Sequence, residues 1–105
     1  MRLTTPGAKV LAAFFAEPHD AQYGFGLMRT TGVKSGSLYP MLDRLKRKGW
    51  IDGIDESIDE RAAGRPRRRL YRLTGLGERE GRTALIEFYR YVGPVPGWLP
   101  GFEGA

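Results

Sequence analysis

Residues 35–49, SGSLYPMLDRLKRKG, place Leu38, Met41, Leu42 and Leu45 along one helical stripe and leave a polar face beside it. A helix with a single apolar stripe holds only when that stripe lies on other elements. The segment therefore fixes what the rest of the chain must supply: a small core of further helices or a sheet. Ser35 is a natural N-cap, and Pro40 falls just past the first turn, where a missing N–H costs less than in the interior. Lys46, Arg47 and Lys48 crowd the last turn, where the helix dipole favours cations, and Gly49 is a natural stop.

The flanking sequence offers the partners. In TPGAKVLAAFFAEP, Thr5 suits a cap, Pro6 the first helical position, and Pro18 ends the helix near Glu17. Val10 with Phe14 and Leu11 with Phe15 make two i, i+4 pairs on neighbouring faces, so a second apolar stripe is expected to face a partner chain. YGFGLMRTTG reads as a short helix ending at Gly32, with Phe25, Leu27 and Met28 expected to be buried. After Trp50, Ile51, Ile54 and Ile58 suit one arm of a β-hairpin, and Leu70, Tyr71 and Leu73 the other. The loop between them, with Ala62, Ala63, Gly64 and Pro66, is longer than a tight hairpin turn, and its tip is expected to be mobile. A last helix starts near Thr74, carries Leu85, Phe88, Tyr89 and Val92 on one face, and ends at Gly93 and Pro94. The Pro- and Gly-rich remainder is expected to have no regular structure. This order predicts an α+β winged helix-turn-helix: three helices, a two-stranded β wing and a C-terminal helix. The division follows as a DNA-binding domain over 1–73, a dimerisation helix over 74–92 and a tail over 93–105.

Charge supports that division. The net charge is +5, and its distribution is abrupt: 52–60 hold five acids and no base, while 61–72 hold six arginines and no acid. The tip of the third helix presents Lys34, Ser35, Gly36, Ser37 and Tyr39. Small side chains allow close approach to a duplex, N–H groups suit phosphates, and polar tips suit base edges. Arg44 follows with the reach for a base or a phosphate. A capped surface helix with a basic last turn would look the same on these residues alone. In the wing, Arg61, Arg65, Arg67, Arg68, Arg69 and Arg72 either pair with Asp52, Asp55, Glu56, Asp59 and Glu60 or reach phosphates. The expected division has the strand arginines near Tyr71 pairing with acids and the loop arginines reaching DNA. Phe14, Phe15, Phe88, Tyr89, Tyr91 and Trp98 read as core plus a dimer seam; the sharper alternative is a flat apolar pocket for a small aromatic or cationic effector, centred on Phe14, Phe15, Phe88, Tyr91 and Trp98.

Chemistry finds little footing. With no cysteine and one histidine, His19, beside Pro18, no typical transition-metal site can be completed, and no metal, cofactor or catalytic role is expected. No apolar run reaches the roughly 20 residues of a membrane span, and no signal segment is read, so the expected compartment is the cytoplasm.

Three ordered motifs carry a resemblance. YGFGLMRTTG, then SGSLYPMLDRLKRKGW, then GRPRRRLYRLTGLG resemble the PadR family of bacterial transcriptional regulators, whose recognition helix follows G-T-L-Y-P-x-L-x-R-L-x-x-x-G. The resemblance spans about residues 3–90. It implies a homodimeric winged-helix repressor that puts its third helix into a major groove of a pseudo-palindromic operator on double-stranded DNA. By position, Ser35, Gly36, Ser37, Tyr39, Pro40 and Arg44 match the recognition helix, and Gly64, Arg65 and Pro66 the wing turn. Ser37 stands where Thr is usual. The tail PVPGWLPGF is not a helical extension, so the chain resembles the short members with a single C-terminal helix. The rival reading is a winged-helix adaptor that binds protein and has lost DNA; Ser35, Ser37 and Arg44 on the exposed face argue against it.

Overall fold

The computed structural model describes residues 2–94. Helix α1 (Thr5–Ala16) leads through strand β1 (Gln22–Tyr23) into α2 (Gly24–Thr31) and α3 (Ser35–Arg47). Strand β2 (Ile51–Asp55), the short helix α4 (Glu60–Ala63) and strand β3 (Arg69–Leu73) follow, and a π-helical turn (Gly77–Gly81) opens α5 (Arg82–Val92). The α+β winged architecture is as the sequence order predicts, with three local differences.

First, the sheet has three strands in the order β1-β3-β2, all antiparallel. β1 is two residues long, pairing Gln22 with Tyr71 and Tyr23 with Leu70. Its anchor is the Gln22 side chain, whose Nε2 donates to the Ala13 carbonyl of α1 at 2.7 Å. Second, the long wing loop is partly helical. Asp59 caps α4 by accepting from the Arg61 and Ala62 amides, and Gly64 closes it in the left-handed region at φ 69°. Third, the caps shift by one residue. Thr4, not Thr5, accepts from the Gly7 amide at the head of α1, and Lys34 is the N-cap of α3, with Ser35 its first helical residue and no side-chain cap.

The core explains the placement of α3. Leu38, Met41, Leu42 and Leu45 are buried in one core with Val10, Leu11 and Phe14 of α1, Leu27 of α2 and Leu85 of α5. The second stripe of α1, expected to face a partner chain, is covered within this chain: Phe14 and Phe15 are 1% and 6% exposed, and α5 packs on α1. The physical reason is that Gly81 lets the π turn settle on Phe15 and Leu11, where a Cβ would sit 3.3 Å and 3.4 Å from their side chains.

Trp50 joins the pieces. Its amide donates to Leu45 at the end of α3, its carbonyl accepts from Thr74 after β3, and its indole N–H donates to Glu80 in the π turn at 2.9 Å. Thr74 then caps the last helical segment, its hydroxyl accepting from the Gly77 amide. Gly77 lies against the Trp50 main chain so closely that any Cβ would be driven into that carbonyl. Backbone cannot yield as a side chain can. Gly77→Ala is therefore expected to destabilise the fold by about 3 kcal/mol, the upper end of overpacking costs, as read by urea denaturation. An unchanged midpoint would mean that the contact is not rigid.

Candidate nucleic-acid interface

α3 divides cleanly. Its inner stripe is buried, while Ser35, Gly36, Ser37, Tyr39, Pro40, Asp43, Arg44, Lys46 and Arg47 are exposed. Gly36 faces open space, with nothing within 4 Å of a Cβ built there. Pro40, inside the helix, has no N–H to give the Gly36 carbonyl. Among the described residues, Lys34, Arg44 and Lys46 form no ion pair, whereas Arg47 is tied to Asp43 at 3.1 Å.

The tip of α3 and the base of the wing share a face. A cleft of about 320 Å³ is lined by Tyr23, Gly24 and Phe25 at the start of α2, Tyr39 of α3, and Arg68, Arg69 and Tyr71 of the wing. Tyr39 lies directly over Gly24, close enough that a Cβ there would meet its phenol. Phe25 is 59% exposed and Tyr39 46%, unusual values for aromatics in a small domain. The Arg68 guanidinium stacks on the Tyr23 ring 4.1 Å from its centroid. The sequence reading missed Tyr23 and expected Phe25 to be buried, whereas Phe25 lies outside the core at the edge of this cleft; the aromatic pair at the head of a glycine-rich helix was the available signal.

The wing arginines pair more widely than expected. Arg69 meets Asp55 across the strands at 3.2 Å, as a strand arginine should. Two loop arginines also find acids: Arg67 meets Glu60 at 3.4 Å, and Arg65 grips both oxygens of Glu56, at 2.7 Å and 3.1 Å. The turn at Gly64 and the short α4 bring these partners together. Arg61 and Arg68 form no ion pair among the described residues.

The aromatic set named from the sequence does not form one pocket. Phe14 and Phe15 belong to the core, and Trp98 lies outside the described residues. Phe88 and Tyr91 line a separate groove of about 870 Å³ between the N-terminal segment and α5, with Arg2, Leu3, Arg90 and Val92. Tyr91 is 92% exposed there. No group of three His, Asp or Glu is arranged to hold a metal, and no helix is long and apolar enough to cross a membrane, among the described residues.

The Arg65 fork holds the Glu56 carboxyl at about 2, well below its ordinary 4.5, aided by the Arg68 amide. A carboxyl depressed in the folded state gives stability that is complete above the unfolded value and drains away as pH falls through the folded one. Between about pH 4.5 and 2, the native protein should therefore lose stability more steeply than Glu56→Gln, as followed by denaturant midpoints. Parallel profiles would show that the ion pair does not hold the wing.

Comparison places this geometry in a family. The profile of the "Transcriptional regulator PadR-like family" matches residues 22–83, which span β1 through the π turn. No curated protein matches the chain significantly. Among solved structures, smu.1704 from Streptococcus mutans superposes with a TM-score of 0.66 at 22% identity, covering 88% of this chain and 85% of the other. PcaV from Streptomyces coelicolor, solved with its natural ligand, gives 0.65 at 26% identity, over 91% of this chain and 65% of PcaV. AbfR, a Staphylococcus epidermidis protein, solved overoxidised and bound to DNA, gives 0.63 at 25%, over 88% and 61%. The chain thus spans about three-fifths of the AbfR chain. With α3 built on the family's recognition-helix pattern and the profile covering more than half of its residues, this chain belongs to the PadR-like family of transcriptional regulators.

Proposed function

We propose that this regulator binds double-stranded DNA as a homodimer and represses transcription. The observation that carries the reading is the shared face: the open tip of α3, the aromatic start of α2 and the base of the arginine wing meet around one cleft. In this reading α3 enters the major groove, where Ser35, Gly36, Ser37, Tyr39 and Pro40 form the tip and Arg44 reaches base edges. Lys34, Arg61, Arg67 and Arg68 bind phosphates. The weak, half-exposed Arg67–Glu60 pair exchanges readily for a stronger anion.

The dimer reading rests on α5, within the 74–92 segment proposed for dimerisation. Tyr91 and Val92 are exposed at the end of a helix whose other face is buried, beside the groove lined by Phe88. A second copy seated there would cover apolar surface that a monomer leaves wet. The same groove, apolar with cationic rims at Arg2 and Arg90, is where a small effector could release the protein from its operator. Two recognition helices related by a two-fold axis require a pseudo-palindromic site with half-sites about one helical turn, or a multiple, apart.

DNA binding should weaken with salt at a slope of about −0.9 per phosphate neutralised, as measured by anisotropy on the fragment upstream of its own gene. Arg44→Ala should cost about 1–3 kcal/mol and relax preference at one base pair of each half-site. Gly36→Leu should keep the thermal midpoint, because the space around Gly36 is open. It should nevertheless cut affinity at least about tenfold by blocking close approach to the groove floor. Native affinity in Gly36→Leu would exclude the α3 tip from the interface, and a protein with no salt-sensitive shift would be the adaptor instead.

A further inference from the structure

The wing arginines are held with very different firmness. The side chains of Arg67 and Arg69 each touch an acid through one nitrogen, at 3.4 Å and 3.2 Å, and both pairs are about half exposed; the Arg67 main-chain amide also donates to Glu60, at 3.0 Å. Arg65 commits both terminal nitrogens to Glu56, and one of them also donates to the Pro66 carbonyl at 3.2 Å. This pair is the most covered of the wing, at 34% and 20% exposure. Glu56 in turn fastens β3: its carboxylate accepts from the Arg68 amide at 3.2 Å, and its own amide donates to the Arg68 carbonyl at 2.7 Å. One carboxylate therefore ties residues 56, 65 and 68 together and closes the loop that carries α4. Arg68, fixed at that knot, is the residue stacked on Tyr23 at the start of α2.

We propose that Arg65 is a positioning residue and not a phosphate ligand: clasped by Glu56, it closes the wing loop and so sets Arg68 and Arg67 for the DNA backbone. This inference rests on the DNA-binding reading above. It has a counterintuitive corollary, because Glu56 is an acid beside a polyanion. Removing its charge should relieve repulsion and tighten binding if charge alone mattered. Removing a clasp loosens the loop and weakens binding.

The two roles of Arg65 separate cleanly in substitutions. A phosphate contact needs a positive charge, which Arg65→Lys keeps; a clasp needs the planar fork, which lysine lacks. Affinity for the upstream fragment and for a random duplex is measured over a range of salt, for native protein, Glu56→Gln, Arg65→Lys and Arg65→Ala. All three variants are expected to bind at least about tenfold more weakly. Their salt slopes should fall by the same amount, because each variant releases Arg67 and Arg68 alike and none removes a phosphate contact made by Arg65 itself. Tighter binding by Glu56→Gln, native affinity in Arg65→Lys, or a slope in Arg65→Ala lower by about 0.9 than that of Glu56→Gln would each overturn the proposal. Limited trypsin digestion reads the clasp without DNA: cleavage after Arg61 and Arg67 should quicken in Glu56→Gln, and an unchanged rate overturns it. If the native protein itself shows no salt-sensitive binding while the digestion result holds, it is the DNA-binding reading that fails, not the clasp.

Discussion

The fold depends on what Trp50 does at a single point. Its main chain closes the end of α3 and receives Thr74 from beyond the sheet, and its indole reaches Glu80 in the π turn. The buried body of the ring sits among the core residues, with the Lys48 ammonium 5.4 Å from its centroid. The third helix, the wing and the C-terminal helix thus share one anchor. A tilt of α3 relative to the wing, or of α5 relative to either, has to pass through this residue.

On that frame, the exposed chemistry follows a gradient of commitment. Buried aliphatics fix α3 from beneath, and Gly24 lets Tyr39 close down on α2. Outside, charges range from those with no ion pair among the described residues (Lys34, Arg44, Arg61) through loosely paired (Arg67, Arg69) to clasped (Arg65). Ion pairs at an exposed surface contribute little stability, so the loose ones leave the wing's cations available. The clasped one is bidentate and partly covered, and it serves geometry instead. The family's wing motif, Gly64-Arg65-Pro66, reads in these terms: a left-handed turn, a fork and a rigid φ that together aim the loop.

Much of this was legible in the chain. The Leu38–Leu45 stripe gave α3 and its buried side, because apolar spacing at helical period leaves few alternatives. The apolar residues Ile51, Ile54 and Ile58 against Leu70, Tyr71 and Leu73 gave the hairpin, and the acid-then-arginine switch at residues 60 and 61 its cross-pairing. The choice of partners was not legible: Arg65 and Glu56 are nine residues apart, and only the turn at Gly64 and the short α4 decide that they meet. β1 was invisible because two residues cannot show a period, and its pairing is stabilised by Gln22 reaching a carbonyl on α1. The second stripe of α1 was assigned to a partner chain because nothing in the sequence reveals that Gly81 permits α5 to lie so close. The Trp50–Glu80 bond, across 30 positions, likewise comes from tertiary structure alone.

The π-helical turn at Gly77–Gly81 has an evolutionary corollary. A π turn accommodates one residue more than an α turn, and each residue advances the helix by about 100°. Losing that extra residue would rotate the whole of α5 about its axis and carry Ala84 and Leu85, buried in the core, toward solvent. Tyr91 and Val92 would then point to another compass bearing. A single-codon insertion or deletion at this spot would therefore redirect the molecule's outward surface only together with a repacked interior, so the extra residue locks the outward bearing of α5 to the core.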